Sequence, residues 1–323
     1  MSTPGSLSGV KKSRSFKLTQ ELGAVFALVL LAIVLSVSSP YFFSYSNFTN
    51  IIRQVAVVSI AGVGMTLVII GGGIDLSVGT AISLCSMLIA GFLYNYHMSA
   101  FLAVPLVLLI GCLLGLLNGS LITFLHIPPI IATLSTLMVF RGAALVYNNG
   151  YAIGLIGMFM TLGRGFVGPF PVPSVIMIGL YVVAFVVLRY TMLGRIIFGL
   201  GGNEEAVRLA GISVTKYRLI IYMISGFTAS LAGIILASRL SSGEPSAGEG
   251  VEFDAIVAAV LGGTNIFGGV GTVWGTIIGA LILVVISNGL NLLNVSPYFQ
   301  FIVRGTILAI AVAINSMKVF RKS

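Results

Sequence analysis

Charge is what this sequence has least of. Only 8% of its 323 residues are Asp, Glu, Lys or Arg, while 58% are hydrophobic and the mean hydropathy is +1.12. A soluble domain carries about a quarter charged residues, so a soluble globular fold is excluded. Histidine and cysteine are nearly missing too. His97 sits at a loop and His126 beside a Pro-Pro turn, and these two histidines do not make a metal centre or a general base. Cys85 and Cys112 both lie inside apolar runs, so a disulfide framework is set aside and they read as small buried hydrophobes. There is no G-x-x-x-x-G-K-[ST] phosphate loop, so any ATP that drives this chain must bind to another. No catalytic residue, metal ligand or cofactor is assigned to it.

What the chain does have is long apolar stretches and forty glycines. A bilayer-spanning helix needs about 20 apolar residues, and close packing in lipid favours small ones. The runs do not alternate, as the roughly ten-residue strands of a membrane barrel would. The fold class is therefore all-α: a polytopic transmembrane bundle of about ten helices. Spans are expected near 21–38, 51–71, 76–95, 100–125, 129–147, 172–190, 218–238, 254–267, 272–293 and 298–316. The eighth is too short to cross unaided, and a broken helix is tolerable only where protein or a cavity covers its loose backbone. Residues 21–316 form one membrane domain, with tails at 1–20 and 317–323 and a loop at about 195–217. The basic start and the apolar run 22–37, ending in SVSS, are compatible with a cleaved signal; an uncleaved first helix is the favoured reading.

The net charge of +9 fits cytoplasmic loops better than a nucleic-acid partner. With the N-terminus inside, Lys11, Lys12, Arg14, Lys17, Arg189, Arg195, Arg208, Lys216, Arg218, Lys318, Arg321 and Lys322 all fall in the cytoplasm. Glu244, Glu249 and Glu252 fall outside. An even number of spans returns the C-terminus to the cytoplasm. The turns GGGIDLSVGT and GGTNIFGGVGT look alike, which fits either an internal duplication or chance likeness between glycine-rich turns. Their glycines suit close helix contacts better than hinges.

Charges at membrane depth are functional candidates by default. Asp75 is read chiefly as a cap of the third helix, with Ser77 beside it, and second as part of a pathway or gate. Arg141, in MVFRGAALVY, and Arg304 either pair and snorkel or line a pathway, while Arg53 and Gln54 suit interfacial anchors. Asn118, Asn288 and Asn291 read first as hydrogen-bonding glue between helices and second as ligand contacts. Tyr147, Asn148 and Asn149 are placed near an outer entrance. No span holds several acidic residues, which counts against an ion relay.

One polar island remains, LGGNEEAVRLAGI at 200–212. Asn203 can cap a short helix, with Glu204 and Glu205 in its positively polarised first turn. Arg208 stands four residues after Glu204, and Gly211 ends the turn. A compact capped helix rigidly joined to two spans suits docking better than a free loop does.

These residues also carry a resemblance. Glu205-Ala206-Val207 followed by Gly211 resembles the EAA-x-x-x-G pattern of permease subunits in ATP-binding-cassette importers. LGRIIFGLGGNEEAVRLAGISVTKYR resembles the matching loop of the ribose-type sugar permeases. So do YFFSYSNFTNIIRQ, VGMTLVIIGGGIDLSVG, RGAALVYNNG, ASRLSSGEPSAGEGVEFDAIVAAVLGGTNIFGGVGT and NGLNLLNVSPYFQ; residues 151–171 look different and shorter. The resemblance implies a subunit of the bacterial inner membrane, paired with a second copy or with a paralogous permease. It implies a periplasmic sugar-binding protein and a cytoplasmic ATPase with fused nucleotide-binding halves, which holds ATP and Mg. Gly202, Asn203, Glu204, Glu205, Ala206, Arg208 and Gly211 would form the ATPase-coupling loop. Rival readings are an ion-coupled secondary transporter and a permease of the same family for a furanose-like signalling cargo.

Overall fold

The computed structural model describes residues 29–30, 32–155 and 157–320. The expected tail at 1–20, residues 321–323 of the other expected tail and most of the expected first span lie outside the described residues. What is described of that span is helical at 29–30 and 32–38. The long helices that follow are α1 (Tyr45–Ile70), α2 (Val78–Tyr94), α3 (Ala100–Phe124), α4 (Pro129–Tyr147), α5 (Val172–Tyr190), α6 (Met192–Leu209), α7 (Val214–Leu240), α8 (Val251–Leu261), α9 (Val273–Leu292) and α10 (Pro297–Phe320). Seven of them, α1, α3, α4, α5, α7, α9 and α10, are long and apolar enough to cross a membrane. The bundle is a multi-pass membrane protein of the all-α class.

The helix ends follow from local chemistry. The Ser44 hydroxyl accepts from Asn47 N at the start of α1, and the Ser213 hydroxyl from Lys216 N at the start of α7. Prolines stand in the first turns of α4 and α5, where a missing N–H costs nothing. Between these helices the chain makes short strands, a 3-10 turn at Met158–Met160 and a four-residue helix at Thr161–Arg164. Ile153–Gly154 (β1) pairs with Ser242–Gly243 (β4), and Phe166–Val167 (β2) with Phe170–Pro171 (β3), both antiparallel.

Helices α1 and α7 form the core, and α7 packs on α1, α2 and α3. The α3–α7 contact is a seam of small residues. Gly111, Gly115 and Gly119 recur every fourth position of α3. A side chain at Gly111 would meet Gly226 O at 2.6 Å, and one at Gly226 would meet Gly115 Cα at 2.9 Å. The two backbones touch, which is the packing that lipid leaves as the main source of helix association.

Two segments pack more tightly than hydropathy alone indicates. Residues 241–250 run back along α2. A side chain at Gly243 would strike Ala90 Cβ at 2.6 Å, one at Gly248 would strike Ile82 Cβ at 2.9 Å, and one at Gly79 would strike Glu252. Between Gly79 and Ala90 that path covers about 16 Å of helix. Its irregular backbone finds partners inside the protein, Gly248 N donating to Ser83 Oγ at 2.9 Å, which is the condition for non-helical chain at such a depth. Glu252 is accordingly buried (6% exposed). Second, Arg53 is tied to protein. Its Nη2 donates to Arg164 O at 2.6 Å, and its guanidinium lies 5.0 Å from the Phe166 ring centre. Residues 161–171 thus become a strapped hairpin.

Candidate functional site

The polar island forms the second half of α6. Helical hydrogen bonding runs through 192–209, but Asn203 leaves helical geometry at φ −161° and ψ 96°. Its Oδ1 accepts from Ala206 N at 3.0 Å, so a new helix is capped there. The expected short helix exists, joined end to end with a preceding one that begins under the Thr191 hydroxyl. At its far end Gly211 N donates to Arg208 O at 3.0 Å and Ile212 N to Val207 O at 3.3 Å, with Gly211 at φ +75°. That pair of bonds closes a helix with a left-handed residue, which glycine adopts without strain.

The charges sort by side. Arg208 lies 3.2 Å from Glu205 and 3.8 Å from Glu204, while Arg218 on α7 holds Glu204 from the bundle side. Val207 is buried against the bundle. Glu205, Ala206, Arg208 and Leu209 face outward, Leu209 being 80% exposed. The short helix therefore shows an apolar tip amid charges, on a surface that no other described residue covers.

The base of this helix is pressed into the bundle. A side chain at Gly201 would overlap Ile70 O and come within 2.5 Å of Gly269 N. One at Gly268 would meet Gly201 Cα at 2.9 Å and Gly72 Cα at 3.1 Å. Gly269 N donates to Ile70 O at 2.9 Å. The two look-alike glycine turns thus meet each other and α6 backbone to backbone, as close contacts.

Asp75 follows the first of those turns. It accepts from Ser77 N at 3.1 Å, Ser77 Oγ at 2.7 Å, Asn118 Nδ2 at 3.4 Å and Ser225 Oγ at 2.7 Å. Asn118 also donates to Ser77 Oγ at 2.7 Å and accepts from Thr136 Oγ1 at 2.6 Å. Asp75 is 1% exposed. It does more than cap one helix: it ties the start of α2 to α3 and α7, and through Asn118 to α4. Asn288 exchanges reciprocal amide bonds with Asn47 of α1, at 2.7 and 3.0 Å, and Asn291 accepts from Gln300 of α10 at 2.7 Å. Asp75, Asn118 and Asn288 are all enclosed, and none borders the charged cleft between α2, α4, α8 and α10. Tyr147 packs against Gly91, and Asn148 closes a turn on Tyr151 O.

That cleft has a volume of about 420 Å³. Arg141 reaches it from α4 and pairs with Glu249 at 2.9 Å; Arg304 of α10 pairs with Asp254 of α8 at 3.3 Å. Glu252, Phe253 and Phe301 complete its polar and aromatic wall. Of these the sequence singled out the two arginines alone. The acidic partners were missed because they lie far away in sequence, on a segment that reads as an outer loop. No group of three or more metal-ligating side chains occurs among the described residues.

A helical bundle with seven helices long and apolar enough to cross a membrane, a charged cleft and a capped helix on one end is a polytopic membrane protein. Residues 47–312 match the family described as branched-chain amino acid transport system permease components, and the chain belongs to that family. It is 44% identical to the ribose import permease protein of Haemophilus influenzae over 88% of this chain and 90% of that one. It is 44% identical to the ribose import permease protein of Bacillus subtilis over 93% and 94% respectively. The D-allose transport system permease protein of Escherichia coli is 36% identical over 95% of each chain. No solved structure matches.

Proposed function

We propose that this chain is the membrane-spanning subunit of an ATP-binding-cassette importer in a bacterial inner membrane, and that it passes a monosaccharide. The observation that carries this is near-full-length similarity, at 44% identity, to two permeases named for ribose import. Relatives named for galactose and for D-allose, at 33% and 36%, widen the sugar class. The chain performs no chemistry in this reading. A separate ATPase binds ATP and Mg, a periplasmic binding protein delivers the sugar, and two permease chains stand side by side.

Gly202 to Gly211 form the coupling helix on the cytoplasmic side. Support comes from the outward set Glu205, Ala206, Arg208 and Leu209 on a helix that cannot slide: Asn203 and Gly211 fix its ends and Val207 anchors its inner face. Arg141 belongs to the pathway, whereas Asp75, Asn118 and Asn288 hold helices together. Glu205→Lys combined with Gly211→Pro tests the docking role in the assembled transporter. We expect the permease at normal level in the membrane and sugar-stimulated ATP hydrolysis lost. Unchanged hydrolysis would refute docking, and uptake without ATPase on a proton or sodium gradient would favour a secondary transporter.

A further inference from the structure

We infer that Arg53, Arg164 and Arg239, gathered at the end of the bundle opposite the short capped helix, bind the phosphate of an anionic phospholipid headgroup. The inference needs only that the chain lies in a membrane and does not depend on the importer reading. The three arginines come from separate elements and are locked together through backbone. Arg53 Nη2 of α1 donates to Arg164 O at 2.6 Å, and Arg164 Nε donates to Arg239 O at 2.8 Å. Gly163 N donates to Ser238 Oγ at 2.7 Å, and a side chain at Gly163 would strike Arg239 N, so residues 161–171 are seated on the last turn of α7. Arg239 reaches back to α1, its Nη2 donating to Asn50 Oδ1 at 3.1 Å.

Every acceptor in that ring is a neutral oxygen. Among the described residues no carboxylate pairs with any of the three, whereas Arg141, Arg208, Arg218 and Arg304 each hold one. Glu244, the next acid along the chain from Arg239, accepts from Ser242 Oγ at 3.2 Å instead. The end of α7 supplies about half a negative charge, against three positive ones. Each guanidinium offers five N–H donors, and each gives one to a described residue. Arg53 Nε is sealed in without a partner, so it is the terminal nitrogens that carry the open capacity. Planar guanidinium groups meet phosphate oxygens two at a time, and cations gathered without a counter-charge select an anion.

Depth and neighbours assign that anion to a lipid. Helix α7 carries Lys216 in its first turn and Arg239 in its last, about 34 Å apart along the axis. The hydrocarbon core is about 30 Å thick, so long cationic side chains at both ends reach headgroup level. Tyr45 and Phe48 in the first turn of α1, and Phe166 and Phe170, are exposed at the same end as the arginines. Aromatic side chains gather at that level of a membrane. An acidic protein surface would meet the same charges, but the exposed Phe166, Val167 and Phe170 fit the acyl chains that accompany a headgroup.

The test uses the whole chain in phosphatidylcholine vesicles. Trp274→Phe removes the only tryptophan, and Phe170→Trp then puts a reporter beside the arginines. Phosphatidylglycerol brominated high on its acyl chains should quench it at least three-fold more effectively than phosphatidylcholine brominated in the same way. Arg164→Gln, which keeps an N–H for Arg239 O but no charge, should remove most of that preference, and Arg53→Gln with it the rest. Equal quenching by the two lipids, or a preference that survives both changes, overturns the site. A second reporter, Leu113→Trp on the exposed side of α3, decides the matter even if the arginine variants fail to insert. The same preference there as at position 170 means that the lipid merely gathers around the whole chain, and the site falls. Excess inorganic phosphate should leave the preference intact; its loss would replace the lipid with the free anion. If Arg164→Gln keeps the preference and abolishes stimulation of the complete transporter by its binding protein, the arginines dock an acidic protein and the lipid reading is overturned.

Discussion

Adjacent glycines at the base of the short capped helix should respond in opposite ways to the same substitution. At Gly201 an added methyl overlaps Ile70 O and lies 2.5 Å from Gly269 N. Both neighbours are backbone, and they are hydrogen-bonded to each other at 2.9 Å. They cannot rotate aside as a side-chain tip can. Overpacking a tight contact costs about 1–3 kcal/mol, and leaving a buried backbone group unpaired costs about 1–3 kcal/mol more. Gly201→Ala should therefore destabilise the bundle by roughly 2–6 kcal/mol, or push α6 away from the two glycine turns. At Gly202 nothing lies within 4 Å of the same methyl and the backbone angle is not left-handed. Gly202→Ala should be neutral or stabilising by up to about 1 kcal/mol, because alanine loses less freedom on folding. Fluorescence-detected size exclusion after a heat ramp, in detergent, measures both. Equal behaviour of the two variants would refute the three-way backbone contact.

Two more outcomes follow from the enclosed polar pairs. Asp75→Asn should keep most of the membrane yield, because a side-chain amide still offers an acceptor and the serine hydroxyls can turn to accept; Asp75→Leu strands several buried donors at about 1–3 kcal/mol apiece and should largely abolish it, and equal yields of the two would contradict the knot. For the Asn47–Asn288 pair, each single change to Leu leaves one buried amide unpaired, whereas the double change removes both; the double variant should melt at or above either single one, and additive losses in a double-mutant cycle would show that the two amides do not interact.

Much of this fold is legible in the sequence because the signals are local. Apolar runs give α3, α4, α5 and α9 to within a few residues, and asparagine and glycine chemistry gives both ends of the short capped helix. The cleft is not legible in the same way. Arg141 meets Glu249, and Arg304 meets Asp254, through a segment whose glycines and glutamates look like an exposed loop. What turns that segment inward is its glycines, which let the backbone lie on α2 where a side chain would not fit. Hydropathy averages over a window and cannot register a contact of that kind. Asp75 shows the same limit: a cap was foreseeable from its neighbours, but its bond to Ser225 on α7 was not.

The short run from Gly72 to Gly79 joins two contacts that lie far apart in the sequence. Its first residue touches Gly201 and Gly268 at the base of the short capped helix, and its last touches Glu252 in the wall of the cleft. Six residues lie between them, and Asp75 pins the middle to α3 and α7. The two contacts are thus joined by a short, mostly non-helical stretch that is hydrogen-bonded to the bundle part-way along. The base of the short capped helix and the wall of the cleft are linked here by covalent backbone, so softening side-chain packing elsewhere in the bundle need not disconnect them, whereas one extra residue between Gly72 and Gly79 would.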